Sequence, residues 1–323
     1  MSSAEAVAAL VEAGGAHVPR LMDALERRLA ELARGHGEVL GRHAGATIAA
    51  GGKRLRPLLV FLAAGPDSAD EEMLLRAGVA IELVHSATLV HDDVLDRAAL
   101  RRGRPTVMAT AGPAMATATG DLLFSRAFAE LALNRRAEQV RVLSDASNAL
   151  AQGELLQRAD AWDAGTTRER YLRRCDLKTA RLFAAACRLG AQHAGHPEDP
   201  LGEFGRRIGL AFQLLDDVLD VSGPAETTGK HRGTDLLDGT VTLPLIIARE
   251  RDPGLARLDL RTIDSPDRAE ATCDAIAASG ALESAREMAL DMVAAAKDGL
   301  PLLPAQQRAA LELVADGVVD RYS

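Results

Sequence analysis

Residues 71–96 read EEMLLRAGVAIELVHSATLVHDDVLD. From Glu72 to Asp96 the run carries no proline and a single glycine, Gly78, and Ser68 followed by Glu71 before it has the form of a capping box. The stretch predicts one long core helix. Outward from it the same grammar continues, with apolar residues recurring at three and four as in Leu21, Leu25, Leu29 and Leu32. Strand signals are nearly missing, and aromatics make up only 3% of the chain. The expected fold class is all-α. Polar stretches break the helical pattern at 97–106, where Gly103 and Pro105 stand, and again at 160–167 and 221–242. No shift of composition separates these segments, so residues 1–323 are expected to form a single domain.

At 323 residues, 47% hydrophobic and 26% charged, the chain can bury a large core. The formal charge of -8 argues against general nucleic-acid binding. Three cysteines, Cys175, Cys187 and Cys273, show neither metal-type spacing nor a disulfide pattern. The longest unbroken apolar stretches, such as Leu58 to Gly65, fall short of the roughly 20 residues of a membrane span, and no charged-then-apolar leader opens the sequence. The expectation is a cytoplasmic protein with no membrane span.

The helix ends on Asp92-Asp93-Val94-Leu95-Asp96, and the same pentapeptide returns at Asp216-Asp217-Val218-Leu219-Asp220. Residues four apart share a helix face, so Asp92 pairs with Asp96 and Asp216 with Asp220, while Asp93 and Asp217 lie about 100° round. Each set follows an apolar run, 87–90 and 210–215, so the carboxylates emerge from core helices. Gathering like charges there is costly unless a cation neutralises them. Oxygen-only donors without His or Cys suit a hard ion, and Mg²⁺ characteristically joins a few carboxylates to substrate phosphates. On its own, each set reads as a site for such an ion or as a charged helix end.

Two cationic patches accompany the carboxylates. Gly51-Gly52-Lys53-Arg54-Leu55-Arg56-Pro57 sets glycines and cations at an expected helix start, and Arg101-Arg102-Gly103-Arg104-Pro105-Thr106 follows the first acidic set. Together with the carboxylates they describe a site for two diphosphates, one held through metal and one held directly. In these stretches, with His85, Lys178-Thr179, 212–220 and 229–244, the chain resembles the trans-isoprenyl diphosphate synthase, or polyprenyl synthetase, family.

The resemblance implies a helical bundle of the isoprenoid synthase type with a central cavity. It also implies a Mg²⁺-dependent, head-to-tail condensation of isopentenyl diphosphate with an allylic diphosphate. By that resemblance Asp92, Asp93 and Asp96 form the first aspartate motif, and Asp216, Asp217 and Asp220 the second. Arg101, Lys178, Thr179, Gln213 and Lys230 would contact the allylic diphosphate, with Lys178 counted in the catalytic set. Lys53, Arg56, His85 and Arg102 would hold isopentenyl diphosphate. On its own residues His85 also reads as a satisfied core histidine, and Lys178 as a lysine reaching out from an apolar helix. One departure from the family pattern is Thr240, where many relatives carry a lysine just before Thr242-Leu243-Pro244.

Helical arithmetic places Thr88 and Ile81 on the face of Asp92, with Val84 beside them. In the family, bulky aromatics four or five places before that aspartate stop the product early. Here those places are Ala87 and Thr88, which implies geranylgeranyl diphosphate or a longer product, with Phe124 and Phe128 either a tunnel floor or ordinary core. The glycine-rich 221–242 segment reads as a closing lid or a surface loop. A terpene cyclase would line its pocket with aromatics, against one Trp, two Tyr and six Phe here. A head-to-head condensing enzyme would have no use for the 51–57 cations. A regulatory partner subunit of a heteromeric synthase would have lost the aspartates that this chain keeps. The resemblance implies a homodimer, for which the apolar face 114–132 offers an interface or a buried core.

Overall fold

The long apolar run folds as one helix whose start is set by a carboxylate. Asp70 sits in extended backbone and its side chain accepts the Met73 N–H at 3.0 Å. Glu71 and Glu72 in the first turn suit the positive end of the helix dipole. The computed structural model of the protein describes residues 9–34, 37–66, 70–223 and 232–320. Ser68, the expected cap, lies outside them.

In chain order the helices are α1 His17–Arg34, α2 Glu38–Ala49, α3 Leu55–Ala64 and α4 Glu71–Leu95, followed by α5 Val107–Ala132, α6 Ala137–Ala159 and α7 Arg168–Cys175. A π-helix, Asp176–Ala180, leads into α8 Arg181–Ala194 and α9 Glu198–Ser222. Then come α10 Thr234–Leu237, α11 Leu243–Arg251, α12 Pro253–Arg257, α13 Pro266–Ala278, α14 Ala281–Asp298 and α15 Ala305–Asp320. Among the described residues the only strands are two short ones, β1 Leu100–Arg101 and β2 Arg104–Pro105, paired antiparallel. The fold class is all-α. Two local features depart from expectation: the 97–106 break contains this hairpin, and the glycine-rich break after α9 contains α10.

The chain forms two compact units. One comprises Met1–Ser147, Leu182–Gly205 and Gly299–Val314, and the other Asn148–Arg181, Arg206–Asp298 and Ala315–Ser323. In the first, α4 packs on α1, α2, α3 and α5. It buries Leu74, Val79, Ile81, Leu83 and Val84 completely. Each such aliphatic side chain contributes roughly 1.5–3 kcal/mol when taken from water. Helix α5 breaks near its start at Gly112, whose φ of 83° is non-helical, beside Pro113, which has no N–H to give. In the second unit α11 packs on α7, α12, α13 and α14, and α10 packs on α13.

Among the described residues α4 is also the one helix long and apolar enough to cross a membrane. Within the protein 72% of its most apolar window is buried, which is the signature of a core helix. Counting unbroken apolar runs missed it because Glu82 and His85 interrupt the run. All three cysteines are free and buried, and burial pushes each thiol up to about 12, far from reactive.

Candidate active site

In the first unit the 51–57 segment turns sharply into α3. Gly51 has a φ of 73°, and Arg54 is itself left-handed at φ 48°, ψ 33°. A non-glycine residue in that region costs on the order of 1–3 kcal/mol and must be held there. Arg54 is held by its side chain. Its guanidinium bonds Glu26 at 2.6 Å, Glu82 at 2.7 Å and the Ile48 carbonyl at 3.0 Å. Arg54 is therefore the internal brace of the turn that presents Lys53 and Arg56.

Arg56 lies with its guanidinium carbon 4.4 Å from the centre of the Phe183 ring. Burial, and secondarily Arg102, bring its pKa down to about 10 against the pull of Glu82. Arg102 packs against Gly52, where an added Cβ would stand 3.0 Å from its Nη1. His85 is driven well below its ordinary range, first by burial and then by Arg56 and Arg102, so its ring is neutral. Arg56, His85 and Arg102 thus converge, and Lys53 stands on the same braced turn. Cationic groups at this density describe a seat for an anion.

The first aspartates divide by exposure. Asp93 is 5% exposed and takes the Arg101 Nε at 2.7 Å. Asp92 is half-buried and Asp96 exposed at the helix C-cap. Arg101, expected at the allylic diphosphate, is the partner of Asp93. Of the chain-length positions, Ile81, Val84 and Ala87 are fully buried, while Thr88 is half-buried and donates its hydroxyl to the His85 carbonyl at 2.8 Å. Phe124 stacks on the ring of His91, centroids 5.7 Å apart.

The second unit builds its site from hydrogen bonds. On α9, Asp217 is 4% exposed. Its Oδ2 accepts from the Tyr171 hydroxyl at 2.6 Å and its Oδ1 from Gln213 Nε2 at 2.8 Å. Gln213 Oε1 in turn accepts from the Thr179 hydroxyl at 2.7 Å. Burial nevertheless pushes Asp217 up to about 7. Asp216 is exposed, and Asp220 is half-buried, with its Oδ2 accepting the Asp235 N–H at 3.2 Å.

Lys178 and Thr179 sit in the π-helix, an irregularity that recurs at functional sites. Lys178 is ion-paired with Glu154 of α6. Burial tends to raise Glu154, but Lys178 and Arg158 outweigh it and hold the carboxyl below its usual range. Gly153 permits the approach, since a Cβ there would lie 2.4 Å from the Lys178 backbone nitrogen. Thr179 and Gln213 are thus brought together with the second aspartates. Lys230 lies outside the described residues.

Sequence reasoning missed Glu82, Glu154, Tyr171 and Arg174. Arg174 is 3% exposed, donates to the Val241 carbonyl at 2.6 Å and lies 5.3 Å from the Tyr171 ring centre. Tyr171 is one of two tyrosines in the chain. A buried hydroxyl demands a partner, and this is the one signal that could have drawn attention to it.

The carboxylates fit a hard divalent cation. In both aspartate sets one member is buried and engaged, Asp93 by Arg101 and Asp217 by Tyr171 and Gln213, while a neighbour faces out, Asp96 and Asp216. Among the described residues no three His, Cys, Asp or Glu side chains form a ready cage. A cation here would need oxygens from a ligand, as Mg²⁺ does at phosphate sites.

Comparison with known proteins agrees with this chemistry. Residues 38–278 match the family model described as polyprenyl synthetase. The chain is 44% identical over 230 residues to heptaprenyl diphosphate synthase component 2 of Geobacillus stearothermophilus, covering 70% of this chain and 71% of that protein. It is 36% identical to geranylgeranyl diphosphate synthase of Methanosarcina mazei, covering 84% and 86%. A polyprenyl synthase from Caulobacter crescentus, solved with calcium and isoprenyl diphosphate, superposes with a TM-score of 0.90 at 36% identity, covering 97% and 98%. The chain belongs to the polyprenyl synthetase family and is a trans-prenyltransferase.

Proposed function

We propose that the protein condenses isopentenyl diphosphate head to tail with an allylic diphosphate, with Mg²⁺, to give a linear polyprenyl diphosphate of geranylgeranyl length or longer. The observation that carries this reading is the convergence of Arg56, Arg102 and neutral His85 on the braced turn of Lys53, a cationic seat beside the first aspartates. The whole chain, 1–323, acts as one catalytic domain in this reading, in the cytoplasm and as a homodimer through the 114–132 face. The name of the Geobacillus relative, a component 2, makes an added small subunit the natural variation on that assembly.

Asp92, Asp96 and Asp216 would hold Mg²⁺, with Asp93, Asp217 and Asp220 completing the two motifs. Bound there, Mg²⁺ would supply neutralisation of the charge that develops on a departing diphosphate. Lys178, Thr179 and Gln213 hold that allylic diphosphate, with Arg101 and Lys230 assigned by the same resemblance. Lys53, Arg56, His85 and Arg102 fix isopentenyl diphosphate by its own diphosphate. Its double bond is thereby aimed at the allylic carbon, and positioning supplies much of the rate. The new carbon–carbon bond forms as the allylic carbon–oxygen bond breaks, and a proton leaves the isopentenyl unit. Neutral His85 donates one hydrogen bond without adding a further positive charge.

Chain length is read by the α4 face that carries Ile81, Val84, Ala87 and Thr88. Small side chains at Ala87 and Thr88 leave it open, which favours geranylgeranyl diphosphate or longer, and Thr88→Phe is expected to shorten the product distribution. Purified protein with labelled isopentenyl diphosphate and a farnesyl primer tests the reaction. Products longer than farnesyl by mass are expected, abolished by chelation and reduced on the order of 10²–10³-fold in Asp92→Ala. Cyclic hydrocarbons, or no turnover with any primer, would sink the reading.

A further inference from the structure

The chain has one tryptophan, Trp162, and it belongs to none of the residue sets assigned above. It lies half-buried in the break between α6 and α7, with a φ of 65°. A bulky side chain takes that left-handed backbone only where its surroundings enforce it. Here the segment leading into α11 does so. The Trp162 N–H donates to the Gly239 carbonyl at 2.8 Å, and the indole lies so close over Gly239 that a Cβ added there would run into the ring. Gly239 is itself left-handed at φ 71°, so this contact calls for glycine on two grounds.

From Gly239 a line of bonds leads into the second aspartate set. The next residue, Thr240, donates its N–H to the Asp235 carbonyl at 2.8 Å. Asp235 donates its own N–H to Asp220 Oδ2 at 3.2 Å, and Gly233 donates to the Asp220 carbonyl at 2.9 Å. On the far side Arg174 donates Nη2 to the Val241 carbonyl at 2.6 Å, so Thr240 is held through both its neighbours. Helix α7 anchors the whole arrangement, because three of its side chains reach three segments. Arg170 bonds Asp160 at 2.6 Å, Tyr171 bonds Asp217 at 2.6 Å and Arg174 bonds Val241. Asp160, two residues before Trp162, is 1% exposed. One helix therefore fixes the turn that carries Trp162, the buried aspartate of α9 and the segment that carries Gly239.

We propose that Trp162 is a positioning residue for the second aspartate set: its indole, seated on Gly239, fixes the 233–241 segment in the place from which the Asp235 N–H orients the Asp220 carboxylate. Trp162 acts through Gly239, Thr240 and Asp235, as residues behind metal-binding carboxylates commonly do. Seating of the indole and ligation of the aspartates reinforce each other, since a coupling between two sites is reciprocal. The inference rests on the proposed reaction for the metal and diphosphate that Asp220 would meet. The bonded line from Trp162 to Asp220 stands apart from it.

Because Trp162 is the one tryptophan, its emission in the unaltered chain reports the contact directly. Titration with Mg²⁺ and inorganic diphosphate is expected to change that emission saturably, and chelation to reverse the change. Calorimetry with the same pair is expected to show W162A binding about 10- to 100-fold more weakly than the wild type, and W162F, which keeps a ring over Gly239, restoring most of the loss. Binding of isopentenyl diphosphate without metal should be the same in all three, which separates misplaced aspartates from general loss of structure. The proposal is overturned if the emission ignores Mg²⁺ and diphosphate, if W162A binds them as the wild type does, or if W162A loses isopentenyl diphosphate to the same degree. Failure of the wild-type chain to turn over any allylic primer would overturn the reaction while leaving these titrations readable.

Discussion

The first unit's site and the second unit's site handle charge in opposite ways. Around α3 and α4, groups of the same sign are crowded together, and burial first, then their mutual repulsion, disfavours their charged forms: Arg56 is brought down to about 10 yet keeps its charge, and His85 becomes neutral. Around α9 a single buried carboxylate is wrapped in neutral donors, with Thr179, Gln213 and Tyr171 forming one continuous hydrogen-bonded line to Asp217. The first arrangement is under electrostatic tension that an anion relieves. The second is geometrically settled before any ligand arrives, which is how orientation is fixed in advance. Two diphosphates with different tasks match this difference. One has only to be held, and the other has to be held in the orientation from which its carbon–oxygen bond breaks.

The largest effect should come from removing a charge where tension is greatest. Arg56→Met is expected to raise the KM for isopentenyl diphosphate by about 10- to 100-fold, the worth of a hydrogen bond to a charged group, with kcat much less affected. Steady-state kinetics at saturating allylic primer would show it. Tyr171→Phe removes one donor from Asp217 and keeps the ring. About a tenfold fall in kcat is expected, with the KM for isopentenyl diphosphate unchanged, because the loss is one of orientation in the second unit. An equal rise in both KM values would erase the distinction drawn between the two regions.

The smallest effect concerns stability rather than turnover. His193 accepts from Gln139 Nε2 at 3.1 Å, and burial, with Arg136 behind it, brings its pKa down to about 4. The unfolded chain binds a proton at His193 near its ordinary pKa of roughly 6.5, and the folded one does so only near 4. Between those values the unfolded state holds more protons, so stability rises with pH across that window. Denaturant midpoints measured from pH 4 to 7 should climb more steeply in the wild type than in His193→Gln.

How much of this was legible beforehand follows the range of the interactions. Helix α4 could be read because its pattern is local and unbroken. The aspartate sets could be read because a spacing of four is a helix face whatever surrounds it. The hairpin 100–105 escaped because four strand residues carry no alternation, and its turn is set by a left-handed arginine that sequence preference would not choose. Helix α10 escaped inside a glycine-rich stretch, held there by the Asp220 carboxylate on the Asp235 N–H. Arg54 counted only as one more cation in its patch. Its work as a brace depends on Glu26 and Glu82, far away in sequence. The ring of donors around Asp217 was hidden for the same reason, since Tyr171 meets it only across folded helices.

The central claim is that the two regions serve two different diphosphates. It is tested most directly by measuring both KM values, for isopentenyl diphosphate and for a farnesyl primer, in Arg56→Met and in Gln213→Ala. The account expects the first variant to weaken isopentenyl diphosphate alone, and the second to weaken the primer and kcat while sparing isopentenyl diphosphate. Both variants shifting both substrates alike would contradict it.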